Sequence, residues 1–344
     1  MPPPVSSFSS SFESQLEQNL KRLVVNGQSI LLAVSGGRDS MAMLHGVARL
    51  RGILDIPHIV AGHLNHGLRG TAGSKDADLV RSACQSLDVR CVVSECAAGQ
   101  LERASRGSLE ESARTARYEF LKATAQQHGT PLIATAHHAA DQVETVLHNI
   151  IRGTGLRGLR GIPERRRLSD TAELIRPMLT IKSDEISDYV QLHDIVVASD
   201  ESNTDRSFAR NRIRHELIPL LQNDFNIRIA DSLVRLAEQS QELLQGLDTL
   251  AETLLMEVLL EQTPDLCRLD ISKLRAHSEP ILRHTLTVLW IRQSWSRRDM
   301  NSAHFLRLTS MLRHSVPPAI DLPGGVRAEL RANLLVLRKS PTER

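Results

Sequence analysis

At 344 residues the chain exceeds the ~250–300 at which a single hydrophobic core stops growing, so two domains are expected. Charged residues at 24% and hydrophobic ones at 41% are ordinary for a globular protein and exclude a disordered or fibrous chain. The net charge of +2 sets up no strong global field, yet arginine outnumbers lysine severalfold, and with aromatics at 3% nucleic acid would be held through phosphates more than by stacking.

Residues 1–15, opening MPPPVSSFSSSF, have no basic n-region and no apolar h-region, and no apolar run approaches ~20 residues. They are expected to be a disordered tail on a cytoplasmic protein without a membrane span. Ile30 to Val34 then forms an apolar run suited to a strand buried on both faces, broken at Ser35-Gly36-Gly37. Asp39 and Ser40 open a segment, Met41 to Leu50, with helical spacing of its apolar residues. A strand, a glycine turn and a helix N-terminus bring backbone N–H groups and two serine hydroxyls to one place, which suits phosphate. Neither G-x-x-x-x-G-K-[ST] nor G-x-G-x-x-G is present, so the common NTPase and dinucleotide loops are excluded. Ser35-Gly36-Gly37-Arg38-Asp39-Ser40 instead resembles the SGGxDS loop of the PP-loop ATP pyrophosphatases, which split ATP between its α- and β-phosphates. The resemblance implies that Asp39 helps hold Mg²⁺.

Alternation continues through the first two hundred residues. His58–Leu64, Val89–Val93 and Leu132–Ala136 read as strands; Lys75–Leu87, a helix opened by the Ser108–Glu111 capping box and running to about His128, and Ala139–Ile151 read as helices. The fold class expected is α/β, a doubly wound and mostly parallel sheet with ligands at the carboxyl ends of its strands. His137, Asp141, Glu144 and His148 fall at i, i+4, i+7 and i+11 and so are expected to share one helix face beginning at the strand end where a nucleotide would lie; a solvated polar stripe would look the same. Residues 152–167 combine glycines with Arg152, Arg157, Arg160 and the run Arg165-Arg166-Arg167, a basic surface for RNA or a flexible loop with no fixed ligand. A strand and helix around Ile175 to His193 precede Asp200-Glu201-Ser202-Asn203 and Arg210–Pro219. The four cysteines, Cys84, Cys91, Cys96 and Cys267, have no metal-ligand spacing and read as reduced thiols.

SGGRDS at 35–40, NHGLR at 65–69, E-x-x-A-R-x-x-R-Y ending at Tyr118, HHAADQVET at 137–145, RGTGLRGL at 152–159, DESN at 200–203 and RNRIRHELIPLL at 210–221 together resemble the tRNA(Ile)-lysidine synthetase family. Members attach L-lysine to C2 of the wobble cytidine of CAU-anticodon tRNA(Ile), converting ATP to AMP and pyrophosphate. The resemblance implies ATP on Ser35, Gly36, Gly37, Arg38, Asp39, Ser40 and His66; Mg²⁺ on Asp39 and Asp141; and Arg117, Arg152 and Arg210 on phosphate or the activated base. It also implies lysine on Asp141 and Glu144 with His137 close to the nucleotide, and tRNA contacts from Arg152, Arg157, Asn203, Arg210 and Asn211. A PP-loop thiolase or a non-catalytic nucleotide- or tRNA-binding protein is the alternative, although sulfur chemistry needs paired cysteines or a cluster. The domains expected are a catalytic one at 16–222 and a mainly helical, tRNA-binding one at 223–344 with a small C-terminal β element; a homodimer is left open.

Overall fold

The structure, a computed structural model, describes residues 10–25, 27–68, 70–96, 109–198, 209–296, 299–315 and 317–340. The apolar run at Ile30 forms β1 (Ile30–Ala33), and its side chains alternate between two cores: Ile30 and Leu32 enter one, Leu31 the other. β2 (Ile59–Asn65), β4 (Leu132–Ala134) and β6 (Glu173–Ile175) divide their apolar residues in the same way. Strands covered on both faces offer polar chemistry only at their ends.

Around them run α1 (Ser11–Leu23), α2 (Arg38–Leu50), α3 (Thr71–Ser86), α4 (Leu109–His128), α5 (Ala139–Ile151) and α6 (Ser183–Leu192). With β3 (Arg90–Glu95) and β5 (Arg165–Arg167) the sheet has the order β3-β2-β1-β4-β6-β5, parallel except for β5. Ile30 stands opposite both Ile59 and Leu132, so β1 lies where the chain turns from building outward on one side to building on the other. That switch point opens a crevice at the carboxyl ends of β1 and β4.

Two features depart from expectation. Residues 11–15, expected in the tail, are helical: Phe12, Leu16, Leu20 and Leu23 recur on one buried face, and Ser10 Oγ caps α1 by accepting from Glu13 N at 3.2 Å. Arg165-Arg166-Arg167, expected as a basic loop, is an exposed edge strand paired with β6.

Contacts divide the chain at Gln239/Ser240 rather than at 222/223, because Leu233 and Ala237 pack with Val143, Val146 and Leu147 of α5. The second unit, Ser240–Arg344, is mainly helical, with a larger β element than the small C-terminal one expected. It holds an antiparallel sheet in the order β7-β8-β11-β10-β9, with β7 Leu259–Thr263, β8 Leu266–Asp270, β9 Ala319–Leu322, β10 Val326–Arg331 and β11 Leu334–Lys339. Its core closes with the helices Glu279–Arg292 and Ser302–His314 around Trp290. Among the described residues no helix is long and apolar enough to cross a membrane.

Close approach of α1 to α2 depends on Gly46, where a Cβ would stand 2.6 Å from Leu16 Cδ2 and 3.0 Å from Phe12 Cε1. Gly46→Val is expected to cost about 1–3 kcal/mol through overpacking. Urea unfolding measures it as a lower midpoint at unchanged slope; a midpoint equal to the parent's would show that Phe12 and Leu16 yield without cost.

Candidate active site

Beyond β1 the chain makes its tight turn at Gly36, whose φ of +91° suits glycine. The turn is tied by serines. Ser40 Oγ accepts from Ser35 N at 3.1 Å and donates to Gly37 O at 2.9 Å, while Ser35 Oγ lies 3.4 Å from Gly37 N. Gly37 is the N-cap of α2 without a side chain of its own, leaving the helix's first N–H groups to a ligand. Arg38, expected on the nucleotide, donates instead to Asp39 Oδ1 (2.8 Å) and to Ser187 and Ser183 Oγ on α6 (2.9 and 2.8 Å), and it is absent from the cavity wall. Its role is to hold the loop against α6.

A cavity of about 660 Å³ opens here, walled by Ser35, Gly37 and Ser40, by Gly62–His66 at the end of β2, by Arg114, Arg117 and Tyr118 of α4, and by His137 and Asp141. A second cavity, about 740 Å³, lies by His58, Cys84 and Arg90 near the amino ends of β2 and β3, away from every motif. No cysteine lines the 660 Å³ cavity. On its α4 wall Arg117 Nη2 donates toward His66 Nε2 at 3.4 Å, so two expected site residues meet directly.

The face expected to run from His137 to His148 begins later. His138 is the N-cap of α5: its Nδ1 accepts from Ala140 N at 3.2 Å, and its own N–H donates to Asp141 Oδ2 at 3.0 Å. His137 therefore precedes the helix, its Nδ1 3.0 Å from Thr135 Oγ1. His138 Nε2 also lies 3.5 Å from Asp39 Oδ2 and 3.7 Å from Asp141 Oδ2, so the imidazole joins the carboxylate after the glycine loop to the one that opens α5. Burial opposes charge on both partners, but the His138 hydrogen bond and charge, with Arg38, hold Asp39 below its ordinary value. Against its own burial His138 is raised by Asp39 and Asp141. Its neighbour goes the other way: burial, helped by Arg176, Arg210 and Arg114 and opposed by Asp141, pulls His137 down to about 4.

Glu144 is 2% exposed and both its oxygens accept from guanidiniums, Arg210 Nε at 3.0 Å and Arg214 Nε. Arg210 Nη2 is also 3.7 Å from Asp141 Oδ1. The expectation that Glu144 takes the lysine ammonium meets a carboxylate already shared by two cations and absent from the cavity lining. Asp141, by contrast, lines it. The partners come from Ala209–Arg212 and the π-turn Ile213–Leu217, whose Ile213 and Leu217 pack on Val143, Val146 and Leu147. Arg214 was not among the expected residues; its place four positions after Arg210 on a helical segment was the available signal.

The glycine–arginine segment is docked on α5. Gln142 Nε2 donates to Arg160 O at 3.0 Å and its Oε1 accepts from Ile162 N, while Asn149 Nδ2 donates to Gly158 O at 2.8 Å. Gly161 has φ +61° and would place a Cβ 2.4 Å from Gln142 Oε1, so the close approach requires glycine. Arg157 sits in the one-turn helix Leu156–Leu159 and Arg152 is exposed just after α5. Arg165 pairs with Glu173 at 2.7 Å, Arg167 with Asp170 at 2.8 Å, and Arg166 lies 5.1 Å over the Tyr118 ring. Asn211 lies beside Arg210 in the same turn. Asn203 with the DESN motif and Arg69 of NHGLR fall outside the described residues.

Adjacent imidazoles that shift in opposite directions give a test. His138, raised, adds stability that is full below the unfolded value of about 6.5 and is lost as pH rises through its folded value; His137, lowered, makes the folded state lose stability as pH falls from about 6.5 toward 4. In an NMR titration His138 should titrate above 6.5 and His137 near 4, and Asp39→Asn should bring His138 down. A His138 midpoint unmoved by Asp39→Asn would remove the Asp39–His138 pairing.

A PP-loop domain model matches residues 8–221. The chain is 38% identical to the tRNA(Ile)-lysidine synthase of Chlorobaculum tepidum over 69% of its own length and 70% of that protein. It is 38% identical to that of Thermotoga maritima over 62% of its length and 50% of the other, and 30% identical to that of Geobacillus kaustophilus over 89% and 66%. It thus spans about half of some relatives and about two thirds of others. Among solved structures, a U34-tRNA thiolase from Methanococcus maripaludis superposes with a TM-score of 0.54 at 18% identity, covering 67% of this chain and 77% of that one, a likeness of fold. With a PP-loop domain over residues 8–221 and 38% identity to a relative covered to 70%, the chain belongs to the tRNA(Ile)-lysidine synthase family of PP-loop proteins.

Proposed function

We propose that this chain ligates L-lysine to C2 of the wobble cytidine of CAU-anticodon tRNA(Ile), using ATP. The observation that carries the reading is one cavity bordered by a lysine-free phosphate turn, by Arg117, and by Asp141 within reach of Arg210. The cytosine C2 carbonyl is a weak electrophile. Attack of its oxygen on the α-phosphorus of ATP makes an adenylated base and expels pyrophosphate, whose charge the N–H groups after Gly37 and Ser40 can receive. The ε-amine of lysine then bonds to C2, the C2–O bond breaks, and AMP leaves.

Asp141 orients the lysine amine, and the nearby Arg210 and Arg176 favour its uncharged, nucleophilic form over the ammonium. His137, neutral at pH 7, adds no competing charge to the wall. Glu144 acts through Arg210 and Arg214 as a positioning residue. Of the two carboxylates that would hold Mg²⁺, Asp141 lines the cavity, whereas Asp39 does not and is held by Arg38 and close to His138; Mg²⁺ takes one or two carboxylates and completes its shell with water and substrate phosphates. Bound there, Mg²⁺ would neutralise phosphate charge. Reduced thiols suit the cytoplasm.

With ATP labelled at the α-phosphate, label is expected in AMP and only when tRNA is present, and the wobble nucleoside is expected to gain the mass of lysine less water. Label in ADP would overturn the scheme. Arg152 and Arg157, beside the docked glycine segment, are assigned to the RNA backbone. Changing both to alanine should flatten the slope of log affinity against log salt by roughly 1.4–1.8, alike for cognate and non-cognate tRNA, if each touches one phosphate. An unchanged slope in filter-binding titrations would take them off the interface.

A further inference from the structure

Tyr118 on α4 is the centre of an arginine cluster that the chemistry above leaves unused. Arg114 stands one turn earlier on the same helix face, its guanidinium carbon 5.4 Å from the centre of the Tyr118 ring. Arg166 reaches the same ring from β5, at 5.1 Å. The register explains how. Arg166 stands opposite Leu174, which enters the core that Tyr118 packs against, so Arg166 takes the α4 side of the sheet and Arg165 and Arg167 the other. Arg165 pairs with Glu173 and Arg167 with Asp170. Arg166 and Arg114, both exposed, have neither a carboxylate nor a hydrogen-bond partner among the described residues; the ring is what they rest on. A third guanidinium deepens the imbalance. Arg176, directly after β6, is 3% exposed; its Nη1 donates to Pro163 O and its Nε has no partner. Burial lowers it to about 10, with Tyr118 opposing and Arg166 and Arg114 adding, so it stays charged at pH 7.

Like charges gathered on one phenol, with no acid paired to them among the described residues, set up a local positive potential that an anion would relieve. Stacking on the ring fixes each guanidinium plane and leaves its N–H donors, which lie in that plane, to a ligand. Planar forks of this kind suit phosphate. The nucleotide's own phosphates already have the glycine turn. Neighbouring strands are ~4.8 Å apart, so β5, three strands along from β1, stands roughly 14 Å from the strand that carries that turn. A polymer spans such a distance. Arg114 also lines the cavity, so the pair leads from the cavity wall to the edge of the sheet. We propose that Arg114 and Arg166, stacked on Tyr118, bind phosphodiester groups of the RNA strand next to the nucleotide that enters the cavity. This rests on the tRNA-modifying reading above and adds to it a direction: the strand leaves the cavity toward β5.

The test measures tRNA binding by the full chain across salt concentrations, with the KM for ATP and for lysine followed alongside. Arg166→Ala should weaken tRNA binding about 3–10-fold at low salt and flatten the slope of log affinity against log salt by roughly 0.7–0.9, the share of one phosphate. Both KM values should stay those of the parent. Arg166→Lys, which keeps the charge without the planar fork, should hold the slope and lose part of the affinity. Tyr118→Leu should do likewise, because both charges remain but their planes are no longer held. Arg167→Ala, on the opposite face of the same strand, should change neither slope nor affinity. A parental slope in Arg166→Ala, or equal losses from Arg166→Ala and Arg167→Ala, would overturn the assignment while leaving tRNA binding elsewhere on the chain standing. So would a raised KM for ATP or lysine with tRNA affinity kept, since the anion would then belong to that substrate. Should Arg166→Ala fail to fold, full parental affinity in Arg166→Lys and Tyr118→Leu overturns the proposal instead. A parent chain that binds no tRNA would overturn the reading on which it rests as well.

Discussion

A carboxylate at 2% exposure cannot stand alone, and the active-site end of the first unit is arranged around that constraint at Glu144. A buried charge left unpaired is strongly destabilising, so Glu144 obliges a cation to come to it, and Arg210 and Arg214 arrive from 66 and 70 residues further along the chain. Their segment is then fixed on α5 by Ile213 and Leu217, and Arg210 is carried to 3.7 Å from Asp141 at the cavity edge. A buried ion pair adds little net stability. What it supplies here is register: two guanidiniums spaced four residues apart on a helical segment meet two oxygens of one carboxylate, and a slip by one residue would separate at least one of them.

The parallel sheet was legible because burial on both faces leaves apolar runs that read plainly, and α5 was read at its true bounds, Ala139–Ile151. The same helix shows where reading stopped. Helical spacing alone cannot distinguish a face that begins at His137 from one that begins at Asp141; the choice lies in the capping box, which needs His138 in extended backbone. α1 was missed because the serine-rich opening masks the spacing of Phe12, Leu16, Leu20 and Leu23. β5 was missed because three arginines have no strand preference, and only pairing with β6 makes them one. In the second unit the antiparallel strands β7 and β8 continue directly from a helix whose apolar residues keep their period to Val258, so no break announced them.

Within the candidate site, residue types were more legible than their partners. Ser35, Gly37, Ser40, His66, Arg117, His137 and Asp141 do line one cavity. Arg38 and Glu144 share the motifs but are spent on contacts inside the protein, with Ser183 and Ser187 in one case and with two arginines in the other. Motif membership does not separate a residue that touches a ligand from one that holds its neighbour in place. Such contacts join positions more than sixty residues apart, and spacing says nothing about them.

The division of charge around the cavity follows from burial and explains why so many histidines occur at one site. A nucleoside triphosphate is highly anionic at one end and neutral at the other, and one wall cannot suit both. His63, His66 and His137 are each held below the ordinary imidazole value, burial being the largest cause, so they add no fixed charge to the cavity wall. His138, a neighbour in sequence of the most depressed of them, is raised because two carboxylates face it. Arginine supplies fixed positive charge where histidine does not: Arg117, an exposed residue, stands on the cavity wall, and Arg210 stands between Asp141 and Glu144. A guanidinium suits the place between those carboxylates because its planar fork reaches both at once, Nε to Glu144 at 3.0 Å and Nη2 3.7 Å from Asp141.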